Sequence, residues 1–142
     1  MESIQERWRI DLVREVARGG MSVIYEGRLI GADGFAKTVA VKMLLEKWGA
    51  DTKFMQLCAA EAKLVSDLVH ENIVQILQLG RTADSDYYVV MEFVHGLPLR
   101  RLLDHHRLRR KRLPAPLAVH IASRIARGLA YAHTFQDNSG RR

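Results

Sequence analysis

Lys42 closes the apolar run Val39-Ala40-Val41-Lys42, which reads as a β-strand, and Glu61 follows nineteen residues later. Glu61 falls inside a helical pattern. Phe54, Leu57, Cys58, Glu61, Val65 and Leu68 recur at spacings of three and four, so they share one stripe. A carboxylate on a core-facing stripe requires a cation, because an unpaired buried charge costs on the order of several kcal/mol. Lys42 is the partner this predicts. The chemistry such a pair offers is a cation held in place by a carboxylate, available to an anionic ligand.

The flanking segments say what must position the pair. Trp8 to Ala17 and Ser22 to Leu29 read as strands joined through Arg18-Gly19-Gly20, a hairpin. Val23, Tyr25 and Gly27 alternate against Ile24 and Glu26. Gly31-Ala32-Asp33-Gly34 is a second turn, and Lys37 to Leu45 the third strand. Asp51 is placed to cap a helix running to about Val69, with no glycine or proline inside it. Ile73 to Leu79 and Tyr87 to Val94 read as two further strands. After Gly96 the pattern turns helical, with a short helix over Leu97 to Arg107. A longer helix is entered through Leu113-Pro114-Ala115-Pro116 and runs to about His133. Its apolar face holds Leu117, Ile121, Ile125, Leu129 and Ala132.

The chain's 142 residues suffice for a real core, and 48% hydrophobic with 27% charged residues fits a globular protein. Met1 to Ile10 carries charges throughout, so it is not a secretory signal. No apolar run approaches the roughly 20 residues a membrane span requires. The expectation is a cytoplasmic chain with no membrane partner. Cys58 is the single cysteine, which excludes an internal disulfide, and its place on the apolar stripe predicts a packed thiol. The net charge of +6 is concentrated at Arg107 to Arg112, which holds five basic residues in six. The plain reading is a solvated helix end. The sharper one is a site for nucleic acid or an acidic surface, against which stands the lack of interleaved aromatic residues.

Taken in order, these pieces resemble the first half of a bacterial-type serine/threonine protein kinase domain, from about Trp8 to His133. Val16-Ala17-Arg18-Gly19-Gly20-Met21-Ser22-Val23-Ile24-Tyr25 resembles the glycine-rich loop, whose backbone N–H groups approach phosphate oxygens. Gly19 is kept, while Ala17 and Ser22 stand where the family has its first and third glycines. The resemblance implies that Ala40 and Ile24 cover the adenine ring of ATP and that Lys42, paired with Glu61, holds the α- and β-phosphates. His70-Glu71-Asn72-Ile73-Val74 resembles the H-x-N-I-V that follows the family's glutamate helix. Val90-Met91-Glu92-Phe93-Val94-His95-Gly96 resembles the hinge between the lobes. There the backbone of Glu92 and Val94 is expected to bond adenine, with Met91 controlling the back of the pocket.

The fold class so implied is α+β. An N-lobe of five antiparallel strands and one helix, residues 8–94, is followed by the hinge exit and the first two helices of a C-lobe, residues 95–142. No H-R-D, D-F-G or A-P-E segment occurs in the sequence, so no catalytic residue and no Mg²⁺ ligand is assigned. The resemblance implies that the catalytic loop follows shortly after Arg142, and that Mg²⁺ belongs to the complete domain. The chain by itself is expected to transfer no phosphate. The last helix is expected to expose its apolar face, favouring self-association or a protein partner. Two other functions stay open. One is a stand-alone pseudokinase module that binds a partner. The other is a basic nucleic-acid-binding module.

Overall fold

The computed structural model describes residues 8–45, 52–84 and 86–135, and in the helix at 52–66 it leaves out the side chains at 52, 54, 55, 58, 59, 61 and 64. The Asp51 cap, the Cys58 thiol and the Glu61 carboxylate lie outside the described residues.

Five strands form one antiparallel sheet: β1 (Arg9–Arg18), β2 (Ser22–Ile30), β3 (Ala36–Leu44), β4 (Ile76–Arg81) and β5 (Tyr87–Glu92). Their spatial order is β1-β2-β3-β5-β4. Helix α1 (Thr52–Ser66) follows β3 in sequence and packs on β4 and β5. Helices α2 (Leu99–Leu108) and α3 (Ala115–Thr134) follow the sheet. The predicted α+β architecture is the observed one.

Strand alternation divides the sheet into two faces. Val39, Val41 and Val90 are 0%, 2% and 0% exposed, and Ile10, Tyr25, Leu29, Met43 and Tyr88 pack against them. Burying each of these valines contributes about 1.5–3 kcal/mol. Gly27 faces the same core. A Cβ there would stand 2.9 Å from Val41 Cγ2 and 3.3 Å from Ile10 Cγ2, so the close packing of three strands requires the missing side chain. The turn predicted at Gly31 to Gly34 is a 3₁₀ turn over Ala32–Gly34. Gly34 adopts φ +78°, which glycine reaches without steric penalty.

Several predicted boundaries are corrected. β4 begins at Ile76, not Ile73, and continues through Gly80 to Arg81. β5 ends at Glu92, two residues short of Val94. α1 ends at Ser66 rather than near Val69. The predicted stripe of α1 fails at Leu57, which is 67% exposed, while Val65 and Leu68 are half-buried and Ala62, outside the stripe, is 7% exposed. Apolar residues surround this helix on most sides, so spacing alone does not single out the buried face.

The chain forms two compact units. One holds the sheet and α1, with Gln75–Phe93; the other joins Leu68–Val74 to the chain from Val94 onward. In the second unit the 68–74 loop lies on α3. Val69 donates its N–H to Tyr131 Oη at 3.3 Å, the His70 ring stands 5.0 Å from the Tyr131 ring, and Arg124 pairs with Glu71 at 2.6 Å. Gly128 is the buried residue of α3, and a Cβ on it would meet the carbonyl oxygen of Asn72 at 3.2 Å. The predicted exposed stripe of α3 is observed in part: Leu117, Ile125 and Leu129 are 39%, 51% and 53% exposed, while Ile121 and Ala132 are half-buried.

Candidate nucleotide site

Residues directly opposite one another in an antiparallel ladder project from the same face. Ala17 pairs with Ile24, Ile24 with Lys42, Lys42 with Val89, and Ala40 with Met91. The register therefore gathers Ala17, Ile24, Ala40, Lys42 and Met91 on the face opposite the Val39–Val41–Val90 core. Ile24, Ala40 and Met91 are half-buried and Lys42 is exposed. No described residue forms an ion pair with Lys42. Its pairing with Glu61 falls outside the described residues.

Gly19, Gly20 and Ser22 close the hairpin, with the Gly19 N–H donated to the Ser22 carbonyl at 2.8 Å. Neither glycine has a positive φ. A Cβ on Gly20 would meet nothing within 4 Å, and one on Gly19 would meet only the Ser22 carbonyl oxygen, at 3.6 Å. The turn itself thus demands neither glycine. Neither glycine puts a side chain between the hairpin and an approaching anion.

A feature the sequence did not disclose braces this hairpin from behind. Arg18 donates to Glu15 through Nε at 3.0 Å and through Nη2 at 2.5 Å. Three residues apart on a regular strand, the two would point to opposite faces. A bulge at Val16 shifts the register, so that Glu15 pairs with Tyr25 and Arg18 with Val23, on one face. The hydrogen bonds from Arg18 hold the Glu15 carboxyl below the usual glutamate range. A depressed folded-state pKa means the brace is at full strength above the ordinary carboxylate pKa and is lost as pH falls through the lowered value. It is therefore intact at neutral pH. We expect an NMR titration to find Glu15 below the normal glutamate range, and Arg18→Gln to return it there. An unshifted Glu15 in the unmodified chain would contradict the brace.

At the end of β5 the Glu92 N–H donates to the Gln75 carbonyl at 3.0 Å, while the Glu92 Oε1 accepts the Gln75 N–H at 2.9 Å. With its amide occupied, Glu92 has its carbonyl left for any adenine contact. Val94, 64% exposed, opens the second unit. His70 resolves as a loop residue whose Nδ1 accepts the Asn72 N–H at 3.0 Å. A separate cleft of about 260 Å³ lies on the core side of the sheet, between Trp8, Ile10, Leu12, Met43 and Tyr88 among others, and contains none of the expected site residues. Among the described residues no cluster of His, Cys, Asp or Glu is built to hold a metal ion.

Comparison with known proteins gives the family. The family model described as protein tyrosine and serine/threonine kinase matches residues 10–136. The tyrosine-protein kinase MasK of Myxococcus xanthus is 37% identical over 91% of this chain and 20% of its own length. The serine/threonine-protein kinase PrkC of Bacillus subtilis is 33% identical over 90% of this chain and 18% of its own. The chain thus spans about a fifth of these curated relatives. Among solved structures, the kinase domain of Mycobacterium tuberculosis PknI superposes with a TM-score of 0.68 at 24% identity, covering 87% of this chain and 48% of that domain. With the ladder register, the open hairpin and these matches together, the chain belongs to the protein tyrosine and serine/threonine kinase family, among its bacterial-type members.

Proposed function

We propose that this chain is the ATP-holding part of a serine/threonine protein kinase, which in its complete domain transfers the γ-phosphoryl group to protein hydroxyls. The observation that carries the reading is the front face of the sheet. Small and apolar Ala17, Ile24, Ala40 and Met91 offer a surface for adenine, and the exposed cation of Lys42 stands beside them in register. In this reading Lys42 holds the α- and β-phosphates and Glu61 steadies its ammonium. The hairpin backbone around Gly19 and Ser22 lies against the phosphates, and Glu92 and Val94 bond the adenine edge through their backbone.

ATP bound here brings three phosphates whose charge must be met before transfer. Lys42 meets part of it as a point charge. Phosphoryl transfer also needs a base and carboxylates or amides for Mg²⁺, and this sequence has no H-R-D or D-F-G segment to supply them. The chain by itself is therefore proposed to bind ATP without transferring its phosphate. Radiolabel transfer to a generic protein substrate by the purified chain would overturn that part.

Gly19→Ala separates a phosphate loop from an ordinary hairpin. The new Cβ meets only ordinary contact, so the fold should be unharmed or gain roughly 0.4–1 kcal/mol through a less flexible unfolded chain. ATP affinity should fall nonetheless, because the methyl group stands where a phosphate oxygen approaches. A calorimetric titration that found affinity unchanged would favour the ordinary hairpin.

The exposed stripe of α3 favours a second reading, a partner-binding module without nucleotide chemistry. That reading predicts no stabilisation by ATP, together with a chain that is monodisperse only in the presence of its partner.

A further inference from the structure

From Leu97 to Leu113 the chain carries seven arginines and lysines against one carboxylate, Asp104. Arg100 pairs with Asp104 at 3.5 Å while 87% of its side chain remains exposed. No described residue forms an ion pair with the other six. Every residue from Arg107 to Arg112 is exposed.

The backbone concentrates these charges. Lys111 donates its N–H to the His106 carbonyl at 2.9 Å and Arg110 to that of Arg107 at 3.0 Å, which closes α2 and folds the basic run against its C-terminal end. Arg110 sits there at φ 54°, a left-handed conformation that suits glycine and strains arginine. A helix C-terminus also carries partial negative charge, which favours the cations gathered at it.

Apolar side chains stand among the charges. Leu108, between Arg107 and Arg109, is 85% exposed, and Leu97 is 71% exposed. Long exposed cations around a bare leucine suit a fluid surface of mobile anions, where no fixed partner geometry is required. Single-stranded nucleic acid fits less well, since bases need aromatic side chains to stack on and this segment has no Phe, Tyr or Trp.

We propose that α2 and the run to Arg112 form a peripheral docking surface for a bilayer containing anionic phospholipids. The arginines and Lys111 meet headgroup phosphates, and Leu108 enters the boundary beneath them. The expectation of no membrane partner rested on the lack of a spanning segment, and a surface contact needs none. The inference is independent of nucleotide binding.

Co-sedimentation of the chain with vesicles tests it. Partition should be strong onto phosphatidylcholine containing about a third phosphatidylglycerol, weak onto phosphatidylcholine alone, and lowered but not abolished by high salt. The combined substitutions R107Q, R109Q, K111Q and R112Q should lower partition by roughly fivefold per cation removed. Leu108→Ser should weaken the fraction that resists salt. Circular dichroism establishes that each variant is folded. Equal partition onto neutral vesicles, none by the folded chain, or no change in the charge variant would overturn the proposal. So would binding of polyuridylate by a chain that ignores vesicles, which would assign the surface to nucleic acid.

Discussion

Lys42→Met is expected to weaken ATP binding by roughly ten- to a hundredfold, the equivalent of one charge-assisted hydrogen bond to phosphate. The ligand-free chain should melt almost where it did before. Lys42 is exposed on the front of β3, while its neighbours Val41 and Val39 hold the strand from behind at 2% and 0% exposure. An exposed substitution of this kind changes stability by about 0.5 kcal/mol or less. Thermal shift measures both quantities at once. ATP at about 100 times its Kd stabilises the binding-competent fold by roughly 2.7 kcal/mol, and at the same concentration the variant should keep only about 0.4–1.4 kcal/mol of that. An equal shift in both proteins would remove Lys42 from the site. A large drop in the ligand-free melting temperature would instead make it a structural residue.

The second large effect concerns the loop that lies on α3. Gly128→Val should destabilise the second unit by about 1–3 kcal/mol. The first added carbon already falls 3.2 Å from the Asn72 carbonyl oxygen and 3.5 Å from Ile73 Cγ1. The closest of these is backbone, which yields less readily than the end of a flexible side chain. The branched methyls would then press on a loop tied to the helix by Tyr131 and by the Arg124–Glu71 pair. The exposed pair offers little compensation, since such bridges are worth about 0–1 kcal/mol. Urea unfolding followed by the fluorescence of Tyr131 and its neighbours reads the loss. A variant as stable as the parent would show that loop and helix are not packed as described.

How far the sequence spoke can be traced residue by residue. β1, β2 and β3 were legible because they are runs of apolar and β-branched residues bounded by turns that carry glycine. Which residues share the front face with Lys42 follows from the ladder register. β4 was misplaced at its start because Ile73 and Val74 are as apolar as the strand that follows. They belong to the loop on α3, where Gly128 makes room for Ile73. The buried face of α1 was misread at Leu57 because apolar residues ring most of that helix. The Glu15–Arg18 brace could not be read at all. It depends on a bulge, and a bulge is a property of two paired strands rather than of one segment. Arg124 and Glu71 are 53 residues apart, and no local pattern announces such a contact.

The most direct test of the account is an amide-resolved NMR titration of the unmodified chain with ATP. Shifts should concentrate on Ala17, Gly19, Ser22, Ile24, Ala40, Lys42, Met91, Glu92 and Val94, with Val39, Val41 and Val90 on the far face little changed. Saturable shifts in that pattern would establish the front of the sheet as the nucleotide site. A folded chain whose spectrum ignores ATP, or responds only along the core side, would contradict it.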